Sequence, residues 1–416
     1  MSSFEWMPDL AAALDELVPV GDSSRADWQD VVARVDKRRL LQQRGRRRPH
    51  WSLRLAVVVA LLFLLLAGVA TATYLLVRSN GDIALGGDVG KLLVVDPNGP
   101  GLHAVAGCAA WHPGEGQCLV EQPAWSPDGT RVAFVRGRYG GMPLHFSLYV
   151  AAADGTGVRR LALCGECGQF TVGQHLGWSP DGKWIAFSRD NGRQESLWVT
   201  AATGGTPRRL TECLAACRGD YKPGWSPDGR QLVFERLGTT AKPGGIYTIR
   251  ADGSGLRLIA KGGQDPVWSP DGHRVAFDDS SGIEVVNRDG SHLRPLTPGR
   301  WRRGEIPPRD PAWSPDGRRL VYFATPGPGP QESFRAEVWT MNGDGSGRER
   351  LYRSGWRLIY WAPPIWSPDG RMIAFSVAND PAAGGTFVIN ADGTGLRRLS
   401  SFAFTEELSW QTRPKG

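Results

Sequence analysis

The sequence predicts an all-β fold, a seven-bladed β-propeller, on three observations. The pentapeptide WSPDG occurs six times, beginning at Trp125, Trp178, Trp225, Trp268, Trp313 and Trp366. The copies are spaced 53, 47, 43, 45 and 53 residues apart, which is close to the roughly 40 to 50 residues of one four-stranded blade. Short apolar segments lie between the copies, and glycine and proline are plentiful, at 54 and 30 residues, as is typical of many short strands joined by tight turns.

A short helical head, residues 1–54, and one transmembrane helix, residues 55–77, are predicted before the propeller, which takes residues 78–416. The segments PDLAAALDELV and SRADWQDVVARV repeat apolar residues at helical spacing. Residues 55–77 carry no charge and are long enough as a helix to cross a hydrocarbon core of about 30 Å. A cleaved signal peptide is the alternative.

The positive charge of the chain is concentrated before the predicted membrane helix. Eight Lys or Arg residues and no acid lie between residues 37 and 54, so that the rest of the chain, with the total at +7, has a net charge of about −1. The rest therefore has no basic excess for nucleic-acid phosphates, and we expect no nucleic-acid partner. The positive-inside rule places the N-terminus in the cytoplasm and the propeller outside a cell membrane that the chain crosses once.

Each repeat predicts four strands and two turns. The first strand ends in Trp, and the SPDG turn follows it. Proline suits the first central position of a type I turn, Asp the second, and Gly the left-handed position that completes the hairpin. The Trp side chain is expected to fill the space between neighbouring blades. We therefore interpret the repeated Asp as a structural residue and not a catalytic one.

The second turns predict seven blades, one of them shared by the two ends of the propeller. Seven such turns begin at Asp96, Asp154, Thr203, Asp252, Arg288, Asp344 and Asp392. The first lacks its own Trp strand, whereas a surplus Trp strand, ELSWQTRP, surrounds Trp410. Residues 82–105 would supply three outer strands and the Trp410 segment the innermost strand, which removes the free edges of the ring. A six-bladed ring with loose ends is the alternative.

These repeats resemble the PD40 or WD40-like repeats of the TolB propeller family. The unit PAWSPDGTRVAFVRG, continued by SLYVAAADGTGVRRLAL, carries the resemblance, which covers about residues 80–413. It implies the fold and not a function, because such repeats occur in binding proteins, in envelope factors and in prolyl oligopeptidase-type enzymes. The α/β domain that precedes the TolB propeller is replaced here by the predicted helix and head. The G-x-S-x-G elbow of the peptidases does not occur in the sequence, so neither a TolB-specific partnership nor a peptidase activity is inferred.

Six cysteines follow the predicted membrane helix, and we expect disulfides among them. They fall in three consecutive blade-to-blade connections and are Cys108, Cys118, Cys164, Cys167, Cys213 and Cys217. An even number on the outer side indicates an oxidising compartment. Local pairs (108 with 118, 164 with 167, 213 with 217) are the main interpretation, and pairs across adjacent blades stay open. A zinc site of the last four cysteines and a redox dithiol at CGEC are alternatives.

The connections from blade to blade are expected on the face opposite the SPDG turns, and this loop face should bind the ligand. Aromatic residues with arginines are typical of recognition surfaces, and the candidates are Trp301, Arg302, Arg303, Trp356, Arg357, Tyr360 and Trp361. The residues three positions before each Trp should ring the mouth of the central channel, where they could hold a cation or polar ligand; a solvated channel rim is the alternative. These residues are Gln122, His175, Lys222, Asp265, Asp310, Pro363 and Glu407.

The predicted function is binding of a protein, peptide or envelope glycan by a membrane-anchored propeller outside the cell membrane, without catalysis. No catalytic motif is present, and no metal site or cofactor is predicted. A single-pass regulator is one alternative, in which the head contacts a cytoplasmic protein partner. A hydrolase or lyase formed by the loop face is the other.

Overall fold

The structure is a computed structural model, and it describes residues 81–85, 90–97, 103–107, 117–139, 146–163, 176–190, 194–212, 217–240, 242, 244–298, 306–325, 335–357, 362–377, 384–400 and 408–412. Every element of regular secondary structure within these ranges is a β-strand, so the all-β prediction is confirmed. No helix in the described ranges is long and apolar enough to cross a membrane. The predicted head, residues 1–54, and the predicted membrane helix, residues 55–77, lie outside them.

The described strands form six sheets. The first contains β1 (Ile83–Leu85), β2 (Lys91–Val95), β3 (His103–Gly107) and β28 (Leu408–Trp410). The second contains β4 (Gln117–Trp125), β5 (Arg131–Tyr139), β6 (Phe146–Ala152) and β7 (Arg159–Leu163). The third joins β8 (Gly177–Trp178), β9 (Trp184–Asp190), β10 (Glu195–Ala201) and β11 (Arg208–Arg209) to β12 (Gly219–Trp225), β13 (Gln231–Leu237), β14 (Gly245–Arg250) and β15 (Arg257–Lys261).

The other three sheets have four strands each. The fourth contains β16 (Gln264–Trp268), β17 (Arg274–Asp279), β18 (Gly282–Asn287) and β19 (Arg294–Pro295). The fifth contains β20 (Ile306–Trp313), β21 (Arg319–Thr325), β22 (Arg335–Asn342) and β23 (Glu349–Arg357). The sixth contains β24 (Ile365–Trp366), β25 (Met372–Val377), β26 (Gly385–Asn390) and β27 (Arg397–Ser400).

Consecutive strands pair antiparallel within each group of four, which is the connectivity of a propeller-type fold. A single parallel bridge from Glu195 to Gly219 links the two groups of the third sheet. Apolar side chains of the strands pack between neighbouring groups; one cluster, for example, contains Val233 and Ile246 of one group with Val275 and Phe277 of the next. The core is therefore a series of apolar layers between adjacent sheets.

The two ends of the described propeller share the first sheet. Strand β28 pairs with β1, with Ile83 opposite Trp410, so the predicted pairing of the Trp410 segment with the N-terminal strands is confirmed. The amide of Gln411 donates to Asp82 O at 2.8 Å, and Thr412 Oγ1 donates to Pro127 O at 2.7 Å. We call residues 408–412 the closing segment; through Thr412 it also holds the SPDG turn of the next sheet.

The SPDG turn has the predicted conformation. In the first copy Gly129 has φ of 67°, and its amide donates to Ser126 O at 2.8 Å. The Ser126 hydroxyl donates to Asp128 Oδ1 at 2.6 Å, and the Thr130 amide donates to the same oxygen at 3.0 Å. In the second copy, the equivalent hydrogen bond from Ser179 holds the pKa of Asp181 below its ordinary value. The carboxylate of the repeated Asp thus stabilises its own turn by accepting hydrogen bonds within it.

The repeated Trp packs between sheets, and four of the six WSPDG tryptophans also donate a hydrogen bond that was not predicted from the sequence; the Nε1 atoms of Trp125 and Trp313 have no such partner in the described ranges. Each of four indole Nε1 atoms donates to a backbone carbonyl of the preceding group: Trp178 to Ala124 at 2.9 Å, Trp225 to Gly177 at 3.0 Å, Trp268 to Gly224 at 3.1 Å and Trp366 to Ala312 at 3.1 Å. The polar atom of a buried indole needs such a partner. These bonds fix the spacing of neighbouring sheets.

Gly129→Ala is expected to destabilise the protein more than Gly229→Ala. Both glycines have φ of 67°, so alanine costs about 1 to 2 kcal/mol of backbone strain at either position. A Cβ at Gly129 would stand 1.8 Å from Thr412 O, whereas at Gly229 the nearest atom is Pro180 Cδ at 3.6 Å. Urea denaturation checks this, and equal losses in the two variants would contradict the contact between the closing segment and the first SPDG turn.

Candidate functional site

The turns and the connections between groups lie at opposite ends of the strands. Both the SPDG turns and the second turns connect antiparallel neighbours at one end, which we call the turn face. The connections from one group to the next lie at the other end, which we call the loop face. Each innermost strand runs from the loop face to the turn face, so the residues early in these strands lie toward the loop face.

A strained backbone position recurs in four innermost strands. Five non-glycine residues in the described ranges have positive φ, and four of them, with φ from 53° to 56°, are Gln122, Lys222, Asp265 and Asp310. The register of each strand shifts at this point. A proline follows each of the four residues and cannot donate to the sheet, as befits an edge strand. Such strain persists where the surrounding structure holds it, and it is frequent at functional sites.

Four of the predicted channel residues, Lys222, Asp265, Asp310 and Pro363, line one cavity. The cavity has a volume of about 240 Å³, and its charged lining residues are Lys222, Asp265 and Asp310. Prolines 223, 266, 311 and 363 form much of the remaining wall. Gln122 is not part of this wall; it is 2 % exposed, and its Oε1 has no hydrogen-bond partner. His175 and Glu407 lie outside the described residues.

A third carboxylate, Asp278, joins Asp265 and Asp310. One carboxylate oxygen of each of the three residues lies within 4.8 Å of one oxygen of each of the others. Asp278 is fully buried, and it accepts hydrogen bonds from the Asp310 amide at 3.1 Å and from Gln264 Nε2 at 2.9 Å. Burial, and then the nearby Asp265 and Asp310 carboxylates, raise the pKa of Asp278 well above its ordinary value.

Lys222 and Glu235 complete a group of five charged residues that we call the channel cluster: Lys222, Glu235, Asp265, Asp278 and Asp310. Lys222 Nζ forms an ion pair with Asp265. Burial opposes the charge of Lys222, but the Asp265 carboxylate more than offsets it, so the pKa of Lys222 is raised. Burial raises the pKa of Glu235 to about 7, although Lys222 acts in the opposite direction. Four acids thus face one lysine.

The sequence analysis missed Asp278 and Glu235. Both lie in second strands, directly after the buried Phe277 and Phe234. The signal was an acid at a position where another repeat has the apolar Val135. Counting back from Trp identifies only the innermost strands, whereas the side chain after the Phe reaches the neighbouring innermost strand, as the bond from the Asp310 amide to Asp278 shows.

Asp265, Asp278 and Asp310 could hold a hard divalent cation. Oxygens bound to one Ca²⁺ at about 2.3 to 2.6 Å can be up to about 5 Å apart, and those of the three carboxylates are within 4.8 Å. The Lys222 ammonium occupies one Asp265 oxygen, so a metal ion would have to displace it. The same carboxylates can equally accept hydrogen bonds from a cationic organic group.

The aromatic and arginine candidates are largely outside the described residues. Trp356 and Arg357 lie at the end of β23, so placing them in a connecting loop was wrong; the ladder continues to a pairing of Arg357 with Arg335. The residues outside the described ranges are Trp301, Arg302, Arg303, Tyr360 and Trp361.

Two of the six cysteines are described, Cys118 and Cys217, and each is disulfide-bonded. Cys118 belongs to the innermost strand β4 and not to a connecting loop, which corrects the sequence analysis; the pairing with β5 already begins at Gln117. Cys108, Cys164, Cys167 and Cys213 lie outside the described residues, so the pairing stays a prediction. The alternative zinc site needs Cys217 as a thiolate, which its disulfide does not allow.

The stability of the protein is expected to fall as the pH rises from about 4.5 to 7, in part because of Glu235. Its pKa is about 7 in the folded protein against an ordinary 4.5, so in this window the folded chain keeps a proton that the unfolded chain releases. Glu235→Gln should reduce the slope, and Glu349→Gln, at an exposed position, should not. Urea denaturation across this range checks the prediction, and identical slopes for Glu235→Gln and wild type would refute it.

Comparisons with known proteins agree with the fold. A family model described as PD40, TolB beta propeller domain, matches residues 173–357. The chain is similar to a putative TolB from Agrobacterium tumefaciens (23% identity, 70% of this chain and 95% of that chain, TM-score 0.44). It is also similar to an oligogalacturonate lyase in complex with manganese (14% identity, 77% and 86%, TM-score 0.53). The structure of a prolyl endopeptidase is similar as well (12% identity, TM-score 0.55), with 81% of this chain aligned to about half, 52%, of that one.

No curated protein matches the chain. The resemblance of the repeats to TolB propellers is confirmed by the family model, and the identities to solved structures are low enough to show the fold alone.

Proposed function

We propose that this TolB-like propeller is a membrane-anchored, extracytoplasmic binding protein without catalytic activity, and that its channel cluster binds a basic side chain of a protein or peptide. Seven four-stranded groups among the described strands support a ring of seven blades. The predicted helix at residues 55–77 and the basic segment before it support the anchoring and the orientation.

The charge of the channel cluster is the observation that carries this proposal. Glu235, Asp265, Asp278 and Asp310 oppose a single Lys222, and the cluster borders a cavity of about 240 Å³. Two of the four acids, Glu235 and Asp278, have raised pKa values. A cationic group in the cavity would favour their ionised forms, so that protons are exchanged for the ligand.

The hydrogen-bonding capacity of the channel favours the same ligand. Ionised carboxylates accept hydrogen bonds and do not donate them, so the acids of the channel cluster suit a ligand that is rich in donors. A guanidinium group offers five donors and a permanent charge, so an arginine side chain complements this set best. On the turn face, residues such as Asp128 and Asp344 already accept hydrogen bonds within their own turns with Oδ1.

Binding of an arginine-glycine peptide to the full chain in detergent tests the proposal. We expect the peptide to bind at least about tenfold more tightly than the same peptide with citrulline in place of arginine. Asp310→Asn should weaken binding about tenfold, and Asp344→Asn, which changes an exposed acid of the turn face, should leave it unchanged. Affinity should increase from pH 5.5 to 8 as the acids ionise, in line with the raised pKa of Glu235.

Calorimetry with calcium chloride separates the peptide from a metal ion as the ligand. Calcium is expected to compete with the peptide, because Asp265, Asp278 and Asp310 would bind either. Equal affinity for the arginine and citrulline peptides, or calcium binding without peptide binding, would refute the proposed ligand.

A lyase or hydrolase is the second candidate, favoured by Glu235. A carboxyl group with a pKa of about 7 beside a lysine is suited to general acid–base catalysis at neutral pH. Mass spectrometry of peptides and acidic oligosaccharides incubated with the full chain separates the two functions. A product that wild type forms and Glu235→Gln does not would establish the enzyme and overturn the binding-only proposal.

A further inference from the structure

Exposed apolar side chains are concentrated on the turn face. Of the seven large hydrophobic residues that are exposed in the described ranges, six lie beside a turn of this face: Val158, Trp184, Leu256, Leu258, Leu293 and Leu396. Four of them, Val158, Leu256, Leu293 and Leu396, occupy the same position, directly before an outermost strand, and are 42, 46, 49 and 45 % exposed. The seventh, Leu237, ends β13 at the loop face. Apolar residues that recur on one face indicate a contact surface.

Arginines surround these apolar residues. We define the outer rim as six seven-residue segments at the second turns of the last six groups: 154–160, 203–209, 252–258, 289–295, 344–350 and 392–398. The outer rim contains ten arginines and six acids. Five of the acids accept hydrogen bonds within their own turns, and Arg160, Arg209 and Arg398 are exposed. The outer rim is therefore basic and apolar together, unlike the acidic channel cluster.

Several rim arginines bridge neighbouring groups and are thereby held at the surface. Arg208 donates to Asp252 O at 3.0 Å and to Ala251 O at 2.7 Å, and Arg294 donates to Asp344 O at 3.1 Å. A bond to a neutral carbonyl leaves the charge of the guanidinium uncompensated. The rim therefore presents positive charge in fixed positions.

The chain enters the described propeller at the turn face. The Asp82 amide donates to Gln411 Oε1 at 3.0 Å, and Gln411 Nε2 donates to Gly129 O of an SPDG turn at 2.7 Å. Between Val77, the end of the predicted membrane helix, and Ile83, the start of β1, there are five residues. Five extended residues span at most about 18 Å. If residues 55–77 span the membrane, as proposed above, so short a tether keeps the face that the chain enters near the bilayer.

We propose that the turn face docks on the surface of the anionic lipid bilayer, with its exposed aliphatic residues at the acyl boundary and its rim arginines on lipid phosphates. Both interactions are typical of peripheral membrane contacts, since apolar burial and basic side chains each contribute. Trp184 suits the interface because its indole has an apolar body and a polar tip. The docked turn face leaves the loop face and the channel mouth directed away from the membrane.

Hydrogen exchange of the full chain in lipid nanodiscs tests the docking. In discs of phosphatidylcholine with phosphatidylglycerol, backbone amides of the outer rim should exchange about tenfold more slowly than in phosphatidylcholine alone, and high salt should remove the difference. The triple variant Leu256→Glu, Leu293→Glu, Leu396→Glu should lose this protection. Leu237→Glu, at an equally exposed leucine of the loop face (41 %), is the matched control and should retain it.

Equal exchange in the two kinds of disc, unchanged protection in the triple variant, or protection confined to the loop face would overturn the docking. If the full chain cannot be inserted into nanodiscs, flotation with phosphatidylglycerol vesicles tests the docking instead. Flotation that the triple variant loses would support the proposal, and a wild-type chain that stays unbound would overturn it. Peptide binding at the channel cluster is measured in detergent without lipid, so either proposal can fail while the other stands.

Discussion

Trp410→Ala is expected to lower the free energy of unfolding by about 3 to 5 kcal/mol, the usual cost of removing a buried Trp side chain. Trp410 is 7 % exposed and packs with Ile83 and Leu85 of the first sheet and with Met372 and Ala374 of the last. The loss thus falls where the two ends of the propeller meet. The short strand β28 has only three residues, so backbone pairing alone cannot compensate for the lost side chain.

Urea denaturation of the full chain, followed by tryptophan fluorescence, measures this effect. Trp184→Ala is the control, because Trp184 is 42 % exposed and its removal should cost less than about 1 kcal/mol. Hydrogen exchange should also show that Ile83–Leu85 loses protection in Trp410→Ala before the central sheets do. Equal losses of stability in the two variants would contradict closure of the ring by the Trp410 strand.

Asp220→Ala is expected to destabilise the protein by about 3 to 5 kcal/mol, because it leaves a buried guanidinium without its partner. Arg236 Nε and Nη2 donate to Asp220 Oδ1 and Oδ2 at 2.6 and 2.8 Å. Asp220 is fully buried, and the side chain of Arg236 is 13 % exposed. The guanidinium also lies 5.0 Å from the centre of the Tyr247 ring, so it cannot turn to solvent without losing that contact.

Two variants separate the buried pair from an ordinary ion pair. Glu212→Ala removes the partner of Arg209 at the surface, where the two side chains are 55 and 41 % exposed, and should change stability by less than about 1 kcal/mol. The double variant Asp220→Leu, Arg236→Met removes both charges and should recover most of the stability that Asp220→Ala loses. A double variant no more stable than Asp220→Ala would show that packing, and not the unpaired charge, causes the loss.

Local sequence predicted the strands and turns because each repeat contains the residues that determine its own backbone conformation. Proline and glycine in SPDG restrict φ wherever the copy stands, so the turn at Gly129 has the expected left-handed conformation. Repeat counting also predicted that Trp410 pairs with the N-terminal strands. The ends of strands were less predictable: Cys118 and Trp356 belong to strands, because the ladder continues where the sequence has no apolar alternation.

The candidate site was predicted in part, for a physical reason. Counting back from each Trp identified Lys222, Asp265 and Asp310, because innermost strands share one register. It did not identify Asp278, which lies in the second strand of the same group as Asp265 and accepts a hydrogen bond from Asp310 of the next group. A contact between strands of different groups depends on how the sheets pack, and no local pattern encodes it. The left-handed conformation at Lys222, next to a proline, was likewise not evident, since residues before proline usually prefer extended backbone.

By itself the sequence determined the repeat, its strands and turns, and the register that carries the channel residues, since these follow from backbone preferences and spacing within about 45 residues. Tertiary structure alone decided which charges meet. It placed Asp278 beside Asp310 of the next group, and collected six exposed apolar residues on the turn face. Burial and Coulomb interactions depend on distances between strands far apart in the chain, and those distances exist only after the sheets have packed against one another.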